Sequence, residues 1–123
     1  CFVGDGSLQI NIQELATIAN YNLPIKIIVL DNQRFGIVSQ FQNITWGKDP
    51  SCGGLKNPDF SAIAKAYGIF TERISTISET ESKLKKIFSH NGPALVHCNV
   101  DPTEDVIPML LGGQTMNKMW PYD

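Results

Sequence analysis

The sequence predicts one α/β domain built on an open parallel sheet with helices on both faces. Apolar, β-branched runs alternate along the chain with segments whose apolar residues recur at helical spacing. The run 25–30 is apolar at all positions except Lys26, as expected for a parallel strand buried on both faces. The chain has 123 residues, 42% of them hydrophobic, which is enough for one core.

The first half of the chain is predicted to alternate between strand and helix. Asn11 and Glu14 have the spacing of a capping box, so a helix is expected to begin near Ile12 and to end before Pro24. The elements predicted in this half are a strand over 1–3, a turn over 4–7, the helix from Ile12, a strand over 25–30, a short helix over 34–42 and a long loop over 43–56.

The second half continues the pattern and predicts right-handed crossovers between parallel strands. Asn57 is the expected N-cap of a helix, with Pro58 at the first helical position and Asp59 close behind. Ser78 and Glu81 are expected to cap the next helix. The elements predicted here are the helix from Asn57, a strand over 69–74, the helix from Ser78, a strand over 94–100 and a tail from Asp101.

Charge and composition narrow the class of protein. The net charge is -2 and Lys and Arg are not clustered, which disfavours nucleic acid and anionic membranes as partners. No apolar run approaches the roughly 20 residues of a membrane span. The three cysteines are widely spaced, so reduced thiols in the cytoplasm are expected. The chain begins without Met and inside a predicted strand, so we expect it to be part of a longer protein.

Polar side chains follow two strands that the pattern predicts to be neighbours. Asp5 lies between Gly4 and Gly6 after the first strand, and Asn32 follows the second strand. Ligands of open α/β sheets bind at the carboxyl ends of the strands. Carboxylate and amide oxygens are ligands that Mg²⁺ or Ca²⁺ prefers, and such a cation allows Asp5 to lie beside a diphosphate. The backbone amides of Gly6 and Ser7 are then candidate donors to a phosphate oxygen.

Two other interpretations of this turn stay open on the residues alone. A dinucleotide-binding loop requires G-x-G-x-x-G and an acid about 20 residues further on. Gly4 and Gly6 fit, and Asp31 is a candidate for the acid, but residues 8–11 contain no third glycine and Asp5 disfavours a pyrophosphate without a metal. A turn with a purely structural role is the other alternative.

Longer stretches resemble one family. Gly4-Asp5-Gly6 followed by Asp31-Asn32 resembles the thiamine diphosphate motif, which begins with GDG and ends with NN. The segments GDGSLQINIQELATIANYNLPIKIIVLDNQRFGIVSQFQ, LKNPDFSAIAKAYG and GPALVHCNVDPTEDVIPMLLGGQ resemble the acetolactate synthase (acetohydroxyacid synthase large subunit) family. The resemblance covers nearly all of the chain. It identifies residues 1–123 as a C-terminal thiamine-diphosphate-binding domain of the PP type, incomplete at its N-terminus.

The resemblance implies a set of binding residues. It makes the Asp5 carboxylate, the Asn32 side-chain oxygen and the Arg34 backbone carbonyl ligands of Mg²⁺. It places Ile37 and Phe41 at the substrate channel. Asp31 departs from the family's usual Asn, and Phe41 stands where many members carry Trp. The implied cofactor-binding residues are Gly4, Asp5, Gly6, Ser7, Asn32, Arg34, Phe35, Gly36, Ile37 and Val38.

The resemblance also implies an activity for the full-length protein. It implies an enzyme that uses thiamine diphosphate and Mg²⁺, in many members with FAD, in branched-chain amino acid biosynthesis. The reaction is decarboxylation of a pyruvate-like 2-oxo acid and ligation of the product to a second carbonyl.

Another thiamine-diphosphate decarboxylase, oxidase or specialised carboligase is the alternative, and a non-catalytic nucleotide-binding module is the third hypothesis. The activating Glu is expected in another domain, so no catalytic residue is assigned here and the chain alone is predicted to be inactive. A homodimer or homotetramer is expected.

Four other residues are given structural interpretations. Glu14 is expected to cap a helix, and His90 to lie at a helix end near its last carbonyls. His97 is expected to be a strand residue with its polar atoms satisfied. For Trp46, lining a channel and fixing the loop remain equal alternatives.

Overall fold

The computed structural model describes residues 1–47 and 54–122. The elements within these ranges follow the predicted alternation, with the first helix divided into two. They are β1 (Phe2–Gly4), α1 (Asp5–Ile10), α2 (Glu14–Asn20), β2 (Lys26–Asp31), α3 (Gly36–Trp46), α4 (Phe60–Ala66), β3 (Phe70–Ile74), α5 (Ile77–Ser89) and β4 (Ala94–Asn99).

The strands form one parallel sheet in the order β1-β2-β4-β3. This confirms the predicted α/β class. Gly4 lies opposite Leu30, and Asp31 lies opposite Asn99. The carboxyl ends of β1 and β2 are therefore neighbours, which brings the polar residues that follow them to the same edge of the sheet.

Helices cover both faces of the sheet, as predicted. On one face α1, α2 and α4 pack on buried residues of β2 and β4, and on the other face α5 does so. The first cluster consists of Leu8, Leu15, Ile27, Val29, Phe60, Ala64, Ile69 and Leu95. The second consists of Ile28, Ile74, Ile87, Ala94 and Val96. Neighbouring residues of β2 enter opposite clusters because successive side chains of a strand point to opposite faces.

The start of the first helix differs from the prediction. Residues 5–10 form α1, which begins directly after β1 because Gly4 is extended, at φ -76° and ψ 158°. The prediction of a turn over 4–7 is therefore wrong. The proposed capping box is also absent: Asn11 lies in the turn between the helices, and Glu14 accepts a hydrogen bond from the Thr17 hydroxyl at 3.3 Å.

The third helix begins later and ends later than predicted. It starts at Gly36 and continues to Trp46, so the predicted loop is wrong for residues 43–46. No Gly or Pro interrupts residues 37–46, and the helix ends where Gly47 adopts a left-handed φ of 61°. Residues 48–53 of the predicted loop lie outside the described residues.

Two helix caps lie at positions other than those predicted. Asp59 caps α4, because its carboxylate accepts hydrogen bonds from the backbone N–H groups of Ser61 and Ala62. Thr76 and Glu79 form the capping box of α5, in place of the predicted pair two residues later. In both cases the sequence contains more than one residue that could cap the helix. In α4 the later candidate, Asp59, is the cap, and in α5 the earlier candidate, Thr76, is the cap.

Two cysteines lie among the described residues, and both are free thiols. Cys1 is exposed and Cys98 is partly buried, and burial raises the pKa of the Cys98 thiol. Cys52 lies outside the described residues. Within those residues no helix combines the length and the apolar character that crossing a membrane requires.

Candidate functional site

A cavity of about 350 Å³ opens where β1 and β2 end. Its wall includes all ten residues that the resemblance assigned to cofactor binding, together with Leu30 and Val100. The chain contributes them from the β1–α1 junction and from the segment between β2 and α3. The structure therefore brings the predicted residues together, and their role in binding stays a prediction.

Asp5 is a buried carboxylate at this cavity, with 3% of its surface exposed. The Gly6 backbone N–H donates to Oδ1 at 2.9 Å, and Asn57 Nδ2 donates to Oδ2 at 2.6 Å. Among the described residues no Lys or Arg forms an ion pair with Asp5. Burial raises the pKa of Asp5, and the neighbouring Asp31 carboxylate raises it further. A cation at the cavity would stabilise this buried charge.

The loop after β2 is held by backbone N–H groups that donate to side-chain oxygens two residues earlier. The Gln33 N–H donates to Asp31 Oδ1 at 3.0 Å, and the Arg34 N–H donates to Asn32 Oδ1 at 3.3 Å. Gln33 adopts a left-handed φ of 56°, and its carbonyl accepts from the Leu55 N–H at 2.7 Å. Asn32 and the backbone of Arg34 are therefore fixed at the cavity wall.

The Arg34 side chain extends toward the C-terminal tail. Its Nη2 donates to the Glu104 carbonyl at 2.7 Å and to Asp105 Oδ1 at 2.9 Å. The ion pair with Asp105 is largely buried on the arginine side. Because a guanidinium is cationic and carries no acceptor atom, the backbone carbonyl is the group of Arg34 available for the predicted metal contact.

Two glycines in the cavity wall are closely approached by side chains. A Cβ placed on Gly6 would lie 2.5 Å from Cε1 of Phe35. A Cβ placed on Gly36 would lie 3.0 Å from Nδ2 of Asn32. Glycine at these positions lets the Phe35 ring and the Asn32 amide take their places in the wall.

The outer wall of the cavity is apolar. Phe35, Ile37 and Val38 line it, and each is about half exposed. Of the two predicted channel residues, Ile37 lines the cavity and Phe41 is absent from its described lining. Phe41 instead packs edge-on against Trp46, with ring centroids 6.2 Å apart. The predicted channel role of Phe41 stays untested.

Asp31 lies behind the cavity wall rather than in it. It is 5% exposed, and its Oδ2 is 2.7 Å from Nε2 of His97, which is itself 1% exposed. Asn57 Nδ2 donates to Asp31 Oδ1 at 2.7 Å. Burial raises the pKa of Asp31, but the hydrogen bonds from His97, Asn57 and the Gln33 backbone outweigh it and hold the pKa below its usual value.

The two histidines differ in how far they match their predicted roles. His97 is satisfied at Nε2 only: Nδ1 has no hydrogen-bond partner among the described residues and lies 3.7 Å from Asp59 Oδ1. His90 is the C-cap residue of α5, as its position at a helix end predicted, and its ring stacks on Phe70 with centroids 4.5 Å apart.

Sequence reasoning missed Asn57 and His97 as neighbours of the site. A partial signal for Asn57 was present, because Asn57-Pro58-Asp59 contains two residues of capping type and only one of them can cap the helix. Asp59 is the cap in the structure, which leaves the Asn57 side chain for another contact. For His97 no local signal exists, since its partner Asp31 is 66 residues away in the chain.

The oxygen donors at the cavity fit a hard divalent cation. In the described ranges no three His, Cys, Asp or Glu side chains converge as a metal site. The donor set is instead mixed: the Asp5 carboxylate, the Asn32 amide oxygen and the Arg34 carbonyl. Mg²⁺ commonly takes one or two carboxylates and completes its shell with phosphate oxygens and water. These residues therefore fit Mg²⁺ together with a phosphorylated ligand.

An open parallel sheet with a cavity at neighbouring strand ends defines a ligand-binding α/β domain. Residues 1–98 match the family described as thiamine pyrophosphate enzyme, C-terminal TPP binding domain. This match covers more than half of the chain. The chain therefore belongs to the thiamine pyrophosphate enzyme family, as its C-terminal cofactor-binding domain.

Several relatives of this chain are acetolactate synthase large subunits. The chain is 42% identical over 121 residues to the acetolactate synthase large subunit of Haemophilus influenzae. It is 38% identical over 120 residues to the acetolactate synthase isozyme 2 large subunit of Escherichia coli. It is 38% identical over 119 residues to the probable acetolactate synthase large subunit of Methanocaldococcus jannaschii. These alignments cover 96–97% of this chain and 20–22% of the relatives, so the chain spans about a fifth of their length.

Proposed function

We propose that the cavity binds the diphosphate of thiamine diphosphate through Mg²⁺. The metal ligands are the Asp5 carboxylate, the side-chain oxygen of Asn32 and the backbone carbonyl of Arg34. The observation that carries this proposal is Asp5 itself, a carboxylate that is 3% exposed, lines the cavity and has no Lys or Arg ion-pair partner among the described residues. Buried charges in proteins are paired or coordinate metals.

The remaining residues of the cavity have distinct proposed roles. Gly4, Gly6 and Ser7 would hold the diphosphate, and Gly4, at which a Cβ would meet open space, would leave room for its approach. Phe35, Ile37 and Val38 form an apolar wall that excludes water from the cofactor. Gly36 keeps the turn into α3 open enough for the Asn32 amide, which approaches it closely. When bound, the cofactor supplies the carbanion chemistry, and the protein supplies binding, orientation and electrostatics.

We propose further that residues 1–123 are the C-terminal domain of a longer, acetolactate synthase-like enzyme. Its reaction is decarboxylation of a pyruvate-like 2-oxo acid and ligation of the product to a second carbonyl. The identity of 37–42% to acetolactate synthase large subunits supports this assignment. Another thiamine-diphosphate decarboxylase, oxidase or specialised carboligase is the alternative. It is kept open by Phe41, in place of the family's Trp, and by the sequence over 43–56, which also departs from the family. An FAD site elsewhere, a homodimer or homotetramer and a cytoplasmic location stay predictions.

Binding measurements test the proposal. In the protein expressed from its complete reading frame, thiamine diphosphate is expected to bind only when Mg²⁺ is present. Asp5→Asn removes the charged metal ligand, so it is expected to weaken this binding by at least about 10-fold. Asp101→Asn, an exposed acid outside the cavity, is the matched control and is expected to bind as the wild type does.

Calorimetric titration of thiamine diphosphate, with and without Mg²⁺, measures these affinities. Unchanged binding by Asp5→Asn would remove Asp5 from the metal site. Binding of NAD or ATP without metal, and no binding of thiamine diphosphate, would contradict the proposal and favour a nucleotide-binding module.

A further inference from the structure

Behind the cavity lies a group of buried and part-buried polar side chains that the proposed ligand set does not include. We infer that Asn57 is a positioning residue, whose amide group holds the carboxylates of Asp5 and Asp31 together and so fixes the orientation of Asp5 toward the metal. This inference rests on the proposed function, because it concerns the same metal ligand. It adds a residue that contacts neither the metal nor the cofactor directly.

The geometry accounts for both hydrogens of the Asn57 amide. Nδ2 lies 2.6 Å from Asp5 Oδ2 and 2.7 Å from Asp31 Oδ1. A side-chain NH₂ carries two N–H donors, so one hydrogen is available for each carboxylate. Two buried carboxylates placed side by side repel each other, and a shared donor between them offsets part of that repulsion.

These contacts fix Asp5 at both oxygens. Oδ1 accepts from the Gly6 backbone N–H at 2.9 Å, and Oδ2 accepts from Asn57. Because each carboxylate oxygen has two lone pairs, both hydrogen bonds leave room for a cation. A carboxylate held in this way loses little rotational freedom when the metal binds, which favours binding.

Asp31, which accepts a hydrogen bond from Asn57, is itself fixed by other contacts. Asp31 is tied to β4 through Nε2 of His97 at 2.7 Å and to its own loop through the Gln33 N–H at 3.0 Å. The segment before Asn57 is tied to the same loop, since the Leu55 N–H donates to the Gln33 carbonyl at 2.7 Å. A continuous series of hydrogen bonds, buried between His97 and Asp31 and part-buried at Asn57, therefore connects β4 through Asp31 and Asn57 to Asp5. Removing such outer partners of a metal ligand typically lowers metal affinity by about 10–100-fold.

The first experiment compares Asn57→Ala with Asn20→Ala. Asn20 is exposed at the end of α2 and serves as the matched control. Both variants are made in the protein expressed from its complete reading frame, and Mg²⁺ is titrated calorimetrically at saturating thiamine diphosphate. We expect a 10–100-fold weaker Mg²⁺ affinity for Asn57→Ala and an unchanged affinity for Asn20→Ala. The thermal midpoint of each metal-free protein is measured in parallel.

A second variant separates positioning from a purely structural role. If Asn57 separates two like charges, removing one charge with Asp31→Asn is expected to restore at least about a third of the lost affinity in the double variant Asn57→Ala/Asp31→Asn. A structural role alone would lower the thermal midpoint without this recovery. If Asn57→Ala does not fold, Asn57→Leu, which is similar in shape, removes the donor and adds no charge, takes its place in the same comparison.

Three outcomes overturn the inference, and they are distinguishable. Unchanged Mg²⁺ affinity in the folded Asn57 variant removes Asn57 from the metal site while the proposed function stands. A double variant that binds Mg²⁺ no more tightly than Asn57→Ala shows that Asn57 does not act by separating the two like charges, and the proposed function again stands. A wild-type protein that shows no Mg²⁺-dependent binding of thiamine diphosphate overturns the proposed function and this inference together.

Discussion

Single residues at the cavity show why glycine and aspartate alternate after β1. Asp5 accepts a hydrogen bond from the backbone N–H of its neighbour Gly6, at 2.9 Å. Gly6 in turn lies against the Phe35 ring, which forms part of the apolar wall. The β1–α1 junction therefore orients the carboxylate and admits an aromatic side chain from the loop after β2.

Gly6→Ala tests this close approach. The new Cβ would lie 2.5 Å from Cε1 of Phe35, so the ring must move. Because the ring is about half exposed and Ala favours helix over Gly by about 1 kcal/mol, we expect the variant to fold. Its affinity for thiamine diphosphate is expected to fall by about 10-fold, equivalent to about 1.4 kcal/mol, because the displaced ring disturbs the apolar wall of the cavity.

The double variant Gly6→Ala/Phe35→Ala is the control for that prediction. Phe35→Ala alone measures the loss of affinity due to the missing ring. If the steric contact is the cause, the double variant is expected to bind thiamine diphosphate as Phe35→Ala does, because the new Cβ no longer meets the ring. Equal affinities of Gly6→Ala and the wild type, measured by titration calorimetry, would show that the ring moves without consequence for the cavity.

Among the helices, α5 has the most complete local start signal. Glu79 Oε2 accepts from the backbone N–H groups of Ser75 at 3.0 Å and Thr76 at 3.2 Å. Its Oε1 pairs with Lys83 at 3.0 Å, one helical turn further on. These backbone hydrogen bonds, with the Lys83 ammonium, lower the pKa of Glu79 to about 2. On the buried side of the same helix Ile87 is fully enclosed against β4.

The lowered pKa of Glu79 predicts a pH dependence of stability. A carboxyl whose pKa is lower in the folded than in the unfolded state stabilises the fold above its unfolded pKa, here 4.5. This contribution is lost as pH falls from 4.5 toward about 2. Glu79→Gln is therefore expected to lower the thermal midpoint at neutral pH and to flatten its decline across that window.

Thermal unfolding between neutral pH and pH 2 measures this effect. Glu81→Gln removes the same charge from α5 without touching the cap, and it is expected to lower the neutral-pH midpoint less. Parallel pH profiles for Glu79→Gln and the wild type would contradict the prediction.

At the scale of the whole molecule, the C-terminal tail is bound to the elements that form the cavity. Gln40, 1% exposed in α3, donates to the Val106 carbonyl at 2.8 Å and accepts from the Val106 N–H at 2.9 Å. Arg34 binds Glu104 and Asp105 beside it. The tail over 104–106 therefore supports the loop and the helix that carry half of the cavity wall.

Gln40→Ala tests this support. It removes two hydrogen bonds to Val106, each worth about 0.5–1.5 kcal/mol. We expect faster amide hydrogen exchange over residues 104–108 and over the first turn of α3, with β2 and β4 unaffected. Gln9→Ala, on the exposed side of α1, is the matched control and is expected to leave exchange unchanged. Unchanged exchange in Gln40→Ala would show that Arg34 alone holds the tail.

The sequence by itself determined the elements whose signals are local. Periodicity placed the four strands to within one or two residues, and the oxygen ligands after β1 and β2 indicated the edge of the sheet where the cavity lies. The family resemblance then supplied ten candidate binding residues, all of which line that cavity, and their role in binding stays a prediction. The predictions of the strands and of the cavity edge succeeded because hydrophobic spacing and strand-end chemistry are carried by residues close together in the chain.

Only the tertiary structure decided which polar side chains surround Asp5. Asn57 reaches it across 52 residues of chain, and His97 reaches Asp31 across 66. It also decided that α1 starts directly at Asp5 and that Asp59, rather than Asn57, caps α4. Several residues nearby could satisfy each cap or turn on local grounds. The choice among them depends on contacts made only after the sheet has assembled, because a buried carboxylate must find its donors in three dimensions.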